Sequence, residues 1–221
     1  MARRERAAKL RSEVRQEQMI AAALALIGKD GPKALTVAGV AKAIGVVPSA
    51  LYRHFADKDA LVAAILAAIR ERLLATAAAV CEEANGAEAR LRLLYLRHTE
   101  LIQNTPGMVR LVFSEDVCGG CAERKRGLHR VLEGYLGAVA GIVRQGQEEG
   151  TLCPEPAPET VALMFLGMVQ PAAILWYISE GAFDLPAETE RCWLFFSQAI
   201  RHKGHKQLQE TDAERVGDRL V

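Results

Sequence analysis

Between Thr36 and Lys58 the sequence gathers hydrogen-bond donors of several kinds: the hydroxyls of Thr36 and Tyr52, the guanidinium of Arg53, the imidazole of His54 and the ammonium of Lys58. Donors set on neighbouring short elements suit the oxygens of a phosphate backbone, which they hold in register without reading sequence. Pro48, Ser49 and Ala50 are small enough to let a helix tip approach base edges. The chemistry on offer is that of a polyanion partner, double-stranded DNA in particular.

Other groups suggest other chemistry. Cys118-Gly119-Gly120-Cys121 spaces two thiols as a redox pair or half of a metal site would. Zinc would require further ligands, and Cys153, His98 and His129 stand at no diagnostic spacing. A Gly-Gly loop flanked by incidental cysteines explains the motif equally well. Met108, Phe113, Tyr135, Met164, Met168, Trp176 and Tyr177 supply soft and aromatic surface suited to an apolar small molecule, although such residues at helical spacing also build plain core. The chain has no G-x-S-x-G, no H-E-x-x-H, no paired E-x-x-H and no phosphate-binding glycine loop. Its five histidines, His54, His98, His129, His202 and His205, form no catalytic spacing, so we expect no enzyme, cofactor or metal. An enzyme with an unrecognised site is the competing class.

The elements that must position these groups are helical. No segment shows sustained alternation, whereas apolar residues recur at helical spacing throughout, which predicts an all-α protein. Ile20, Leu24 and Ile27 form the stripe of a first helix, about residues 13–28, that ends at Gly28 and Gly31-Pro32. Thr36 caps a second helix whose Val37, Val40, Ala41 and Ile44 face inward, and Gly45 takes the left-handed conformation that stops it. Pro48 opens a third helix with Leu51 and Phe55 inward and Pro48, Ser49, Tyr52 and Arg53 outward. Asp57 caps a fourth, with Leu61, Ile65 and Ile69 on one side. Two short helices joined by a tight glycine turn, the second polar outside, describe a helix-turn-helix. Breaks at Asn85-Gly86, Thr105-Pro106-Gly107, Gly119-Gly120, Gly150 to Pro158 and Gly181 to Pro186 divide the remainder.

Charge supports this division. Residues 1–58 hold 11 Lys or Arg against 5 Asp or Glu, a net of +6, which an overall charge of +1 conceals; residues 59–221 carry a net of −5. A basic front on an acidic body directs a polyanion to one end. Arg3, Arg4, Arg6, Lys9 and Arg11 form either an arm that follows the DNA backbone or a solvated tail. Glu5, Glu13 and Glu17 interrupt the basic start, which argues against a cleaved signal. Gln170 and Pro171 interrupt the apolar run of residues 161–178, so we expect a buried or subunit-interface helix and no membrane span. An odd number of scattered cysteines predicts reduced thiols and a cytoplasmic location.

The segments "LTVAGVAKAIGV" and "LYRHFADKDALV", with the helix before them, resemble the N-terminal domain of TetR-type bacterial transcriptional regulators over residues 19–69. Beyond that span the resemblance rests on helical segmentation and on "FSED" and "GAFDL". The resemblance implies a homodimer with a three-helix DNA-binding domain, residues 1–58, a larger helical ligand-binding and dimerisation domain, residues 59–202, and a polar tail, residues 203–221. It implies phosphate contacts from Thr36, Tyr52, His54 and Lys58 and base contacts from Pro48, Ser49 and Ala50. It also implies a repressor of a palindromic operator, released by a small-molecule effector, with the last two apolar helices pairing the subunits. Two positions depart from the family pattern. Val47 stands where a capping Ser or Thr is usual, a loss of about 1 kcal/mol. Gly39 lies inside the second helix at a similar cost, about 1 kcal/mol relative to Ala.

Overall fold

The computed structural model describes residues 2–119 and 121–201, with side chains described from Ser12 onward. The side chains of Arg3, Arg4, Arg6, Lys9 and Arg11 and the tail from residue 203 lie outside the described residues. Ten α-helices and one 3-10 turn, Pro32–Ala34, make up the described chain: α1 (Ala2–Asp30), α2 (Val37–Ala43), α3 (Pro48–Tyr52), α4 (Lys58–Glu83), α5 (Ala87–Asn104), α6 (Pro106–Val112), α7 (Glu115–Cys118), α8 (Ala122–Glu148), α9 (Pro158–Ile178) and α10 (Leu185–Ile200). The helix breaks fall at the expected glycines and prolines. One further break, at Phe113 and Ser114, separates α6 from α7.

Two compact units result. The first comprises the chain up to Leu74 together with Glu100–Gly134; the second comprises Ala75–Thr99 and the chain from Tyr135. In the first unit α1 begins well before residue 13, and its buried stripe is Met19, Ala23 and Ile27, one position off the expected stripe at its first two members. The shift follows from packing against α6, where a Cβ on Gly107 would stand 1.9 Å from the Leu24 carbonyl oxygen. Leu24 therefore presents backbone, not side chain, to its neighbour. Arg110 on α6 donates from Nη1 to the carbonyls of Gly28 (2.7 Å), in the last turn of α1 where carbonyls run out of helical partners, and Ile27 (3.2 Å), which also accepts from Gly31 N at 3.0 Å.

The core of the second unit is aromatic. Tyr95 on α5 meets Phe165 on α9 edge-on at 5.6 Å and Trp193 on α10 at 6.3 Å, while Phe196 lies 6.0 Å from Phe165. Beside them His98 Nδ1 sits 2.9 Å from the Tyr135 hydroxyl, both side chains buried. Helix α9 is long and apolar enough to cross a membrane by length and composition. Val161, Phe165, Val169 and Ala172 nonetheless bury one face of it inside the protein. Its other face, with Leu163, Met164 and Ile178, is exposed, as are Leu194 and Phe195 on α10.

Candidate nucleic-acid interface

The site starts with a cap. Thr36 is extended at φ −135°, and its Oγ1 accepts from the Gly39 amide at 2.9 Å, which starts α2 and leaves the hydroxyl proton to donate elsewhere. A Cβ on residue 39 would lie 2.9 Å from both Ala34 O and Thr36 Oγ1, so glycine is what lets the capping oxygen close in. At the far end Gly45 adopts φ 70°, Val46 N donates to Ala41 O at 3.0 Å, and Gly45 N donates to Lys42 O at 3.2 Å. These paired bonds end α2 as a Schellman motif and turn the chain into α3 within a few residues.

Helix α3 is short, but Leu51 O accepts from His54 N (2.8 Å) and Phe55 N (2.9 Å), extending the helical turn past Tyr52. Leu51 and Phe55 are thereby buried side by side. Thr36, Pro48, Ser49, Tyr52 and Arg53 are exposed; His54 is half-buried, its ring tilted against Phe55 at 6.4 Å. Val47 occupies the N-cap of α3 without a side-chain hydrogen bond and points largely into solvent.

Two of the expected contacts are placed differently. Ala50 is buried, at 8% exposure, because the inward face of α3 includes residue 50 as well as 51; its methyl belongs to the three-helix core rather than to the exposed tip. Lys58 is half-buried and already paired: its Nζ lies 3.1 Å from both carboxylate oxygens of Asp116. Arg124 completes a four-charge clasp, donating from Nη1 to the Asp116 carbonyl (2.9 Å) and from Nε to Asp59 Oδ1 (2.6 Å). Burial disfavours the Arg124 charge, but the hydrogen bond and charge of Asp59, with Cys121 and Asp116 adding, hold its pKa above the ordinary arginine value. Asp57 Oδ1 accepts from Ala60 N at 2.8 Å beside this clasp, capping α4 as expected. Asp116 and Arg124 escape sequence reasoning because their partners lie 58 and 65 residues away, beyond any helical period.

The Met and aromatic residues are divided between the two units. Met108 and Phe113 fall in the first unit, the former buried and the latter exposed; the others fall in the second. Met164 is 59% exposed and lies on the outer face of α9, because the inward positions of that helix are residues 161, 165 and 169. Met168 and Trp176 are half-buried, Tyr177 is exposed, and Tyr135 is buried against His98. A groove of about 440 Å³ in the first unit, between α4 and α8, is lined instead by Arg70, Arg130, Glu133, Leu66 and two glycines. His98 was recoverable from sequence: it follows Leu91 and Leu94 at helical spacing and so belongs to the buried face of α5. Among the described residues no three His, Cys, Asp or Glu side chains cluster to hold a metal. None of the five cysteines is in a disulfide.

Known proteins share this arrangement. Residues 19–65 match the family profile of bacterial regulatory proteins, tetR family, and residues 84–200 match that of the tetracyclin repressor-like C-terminal domain. The nucleoid occlusion factor SlmA of Marinobacter nauticus is 24% identical over 192 residues, covering 84% of this chain and 95% of the relative. SlmA of Escherichia coli is 29% identical over 157 residues, covering 68% and 78%. Among solved structures, the fatty acid degradation regulator FadR of Bacillus halodurans superposes with a TM-score of 0.72 at 22% identity, covering 82% of this chain and 93% of that one. FadR of Bacillus subtilis, in complex with stearoyl-CoA, superposes with a TM-score of 0.71 at 20% identity, covering 84% and 99%.

Proposed function

The chain belongs to the tetR family of bacterial regulatory proteins, non-enzymatic transcription factors with a DNA-binding N-terminal domain and a ligand-binding C-terminal domain, and on that premise we propose a cytoplasmic repressor that grips a palindromic operator as a homodimer and leaves it when a small apolar effector binds. The observation that carries this reading is the exposed row Thr36, Pro48, Ser49, Tyr52 and Arg53, held on a capped helix, a Schellman turn and a buried Leu51-Phe55 pair. Thr36, Tyr52, Arg53 and His54 donate to phosphates, and Ser49 at the helix tip meets base edges. Lys58 adds the third donor of its ammonium, the other two being directed at Asp116. Pro48 and the exposed Val47 offer methyl and methylene contact, so thymine methyls and DNA shape carry much of the specificity. Repression follows because an occupied operator blocks transcription without further contacts.

Dimerisation is supported by the exposed Leu163, Met164, Ile178, Leu194 and Phe195, an apolar surface on the last two helices that a second copy would cover as a four-helix bundle. Residues 1–58 read DNA, residues 59–202 bind effector and partner, and effector binding changes the separation of two recognition helices that must match a whole turn of DNA. The stearoyl-CoA held by the Bacillus subtilis regulator makes long-chain acyl thioesters the first effectors to try on this shared fold.

The test is selection of duplexes from a random pool by purified protein at two salt concentrations. We expect a palindrome whose binding falls about tenfold with Tyr52→Ala and is released by the effector. Recovery of no sequence at either salt would sink the operator reading.

A further inference from the structure

We propose that Asp116 is an intramolecular competitor for Lys58, a protein carboxylate on the ammonium that a DNA phosphate must also reach, and that it thereby limits the affinity of the DNA-binding face. The proposal rests on the operator reading for the identity of that phosphate. Lys58 Nζ lies 3.1 Å from each carboxylate oxygen of Asp116, and both side chains are largely withdrawn from solvent. A phosphate oxygen about 2.8 Å from the same ammonium would stand no more than about 6 Å from the carboxylate, inside the screening length of about 8 Å at physiological salt. The phosphate must therefore draw Lys58 away from its partner or bear the repulsion of the carboxylate.

Asp116 is held where it competes. Arg124 Nη1 donates to its carbonyl at 2.9 Å and lies 3.4 Å from its Oδ1, while Arg124 Nε is itself fixed on Asp59 Oδ1 at 2.6 Å. The neighbours of Asp116 are anchored as well: Ser114 Oγ donates to the Leu111 carbonyl at 2.6 Å, and Val117 is fully buried. On the opposite side Asp57 caps the first turn of α4 through Ala60 N, so the Lys58 backbone is fixed and its side chain alone can change partners.

Arg53 provides the contrast. It is exposed on the same face and has no acidic partner among the described residues, so its charge is fully available to DNA. Lys58 offers its charge only in competition with Asp116. That carboxylate belongs to α7, a separate segment of the same compact unit, so a residue 58 positions along the chain sets how much of the Lys58 charge a phosphate meets.

The test measures binding of the full-length protein to the selected duplex and to a random-sequence duplex at several salt concentrations. Asp116→Asn keeps the shape of the side chain and one acceptor oxygen but not the charge. It should tighten binding about tenfold at fixed salt and steepen the slope of log affinity against log salt by about 0.9, the value of one further neutralised phosphate. Glu115→Gln removes the same charge from the neighbouring exposed residue of α7 and should change affinity by no more than about twofold. In a Lys58→Ala background Asp116→Asn should likewise gain no more than about twofold, whereas in an Arg53→Ala background it should keep its full gain. Asp116→Glu, which keeps the charge, should bind like the wild type. Asp116→Ser, also uncharged, repeats the cycle should the amide destabilise the fold. Unchanged affinity in Asp116→Asn overturns the proposal. Equal gains with and without Lys58, or an equal gain from Glu115→Gln, would mean a general charge effect and overturn it too. If no palindrome is selected the operator reading fails, while the random duplex still decides whether Asp116 competes for Lys58; absence of binding to either duplex overturns both.

Discussion

The joint between α1 and α6 and the core around Tyr95 are both tightly packed, but by opposite means. In the first, glycine meets backbone: the Cα of Gly107 faces the Leu24 carbonyl, and a Cβ on Gly28 would lie 3.3 Å from Gly107 N. In the second, Phe165 meets Tyr95 and Phe196 edge to face at 5.6 and 6.0 Å, and Trp193 lies tilted against Tyr95 and Phe196 at 6.3 and 5.9 Å. Aromatic side chains can repack around a changed neighbour, whereas two backbones in contact have nothing to move but the helices themselves. The first arrangement transmits displacement, and the second tolerates it. A joint of the first kind suits the region that carries the DNA-reading helices, and a core of the second kind suits the region that must accept a ligand.

The largest test of this contrast is Gly107→Ala. Its Cβ would stand 1.9 Å from Leu24 O and 3.0 Å from Gly28 N, so α1 and α6 must part. We expect a loss of about 4 kcal/mol, at the upper end for overpacking, read as a shift in denaturant midpoint. Stability within about 0.5 kcal/mol of wild type would show that the joint yields, and the contrast would fail.

Next comes His98. Burial pushes its pKa down from 6.5 to about 4, and burial likewise pushes the Tyr135 phenol upward, so the 2.9 Å pair joins a neutral imidazole and a protonated phenol. The sign follows. Above pH 6.5 both folded and unfolded chains leave His98 neutral; as pH falls below 6.5 the unfolded chain takes a proton that the folded one refuses until about pH 4. Stability present above 6.5 is therefore lost across that window, by about 3 kcal/mol at its lower end. His98→Gln, which cannot titrate, should show a correspondingly shallower decline of unfolding free energy, and parallel curves would refute the assignment. A smaller effect is expected on assembly. Phe195 is 85% exposed, so Phe195→Glu should leave the isolated fold intact while weakening the homodimer by about 2 kcal/mol, or thirtyfold, in sedimentation equilibrium.

The same contrast explains what was legible in the sequence. Elements fixed by local physics could be read directly: the Thr36 cap, the left-handed Gly45, the Asp57 cap and nearly every helix break. The inward pair Leu51 and Phe55 could also be read, because a helical period demands it. Features fixed by contact between distant segments could not. Lys58 looked like a free phosphate donor because nothing near residue 58 announces Asp116. Met164 looked like a pocket residue because periodicity identifies an apolar face without saying whether core, ligand or a second subunit covers it. Ala50 reads as a base-contacting residue of the helix tip because a residue so small carries almost no hydrophobic signal of its own.

The smallest effects sharpen this lesson most, because they separate two residues that sequence alone treats alike. Val47 and Gly39 each depart from the family pattern, and each is nominally worth about 1 kcal/mol. Val47 holds the N-cap of α3 with extended backbone, φ −72° and ψ 142°, no side-chain bond and 65% exposure. Val47→Thr should therefore gain most of its nominal value, about 1 kcal/mol, by offering a hydroxyl to the first amides of α3. Gly39→Ala should not, because the added methyl would lie 2.9 Å from Ala34 O and from the Thr36 oxygen that caps α2. Relieving that contact means giving up the 2.9 Å Thr36–Gly39 bond, so the helix-propensity gain of about 1 kcal/mol is offset by loss of a cap worth as much. Paired denaturation curves should thus show Val47→Thr stabilised and Gly39→Ala neutral or destabilised. Equal stabilisation of both would mean that the Thr36 cap contributes little, and that α2 is held by its buried Val37, Val40 and Ala41 alone.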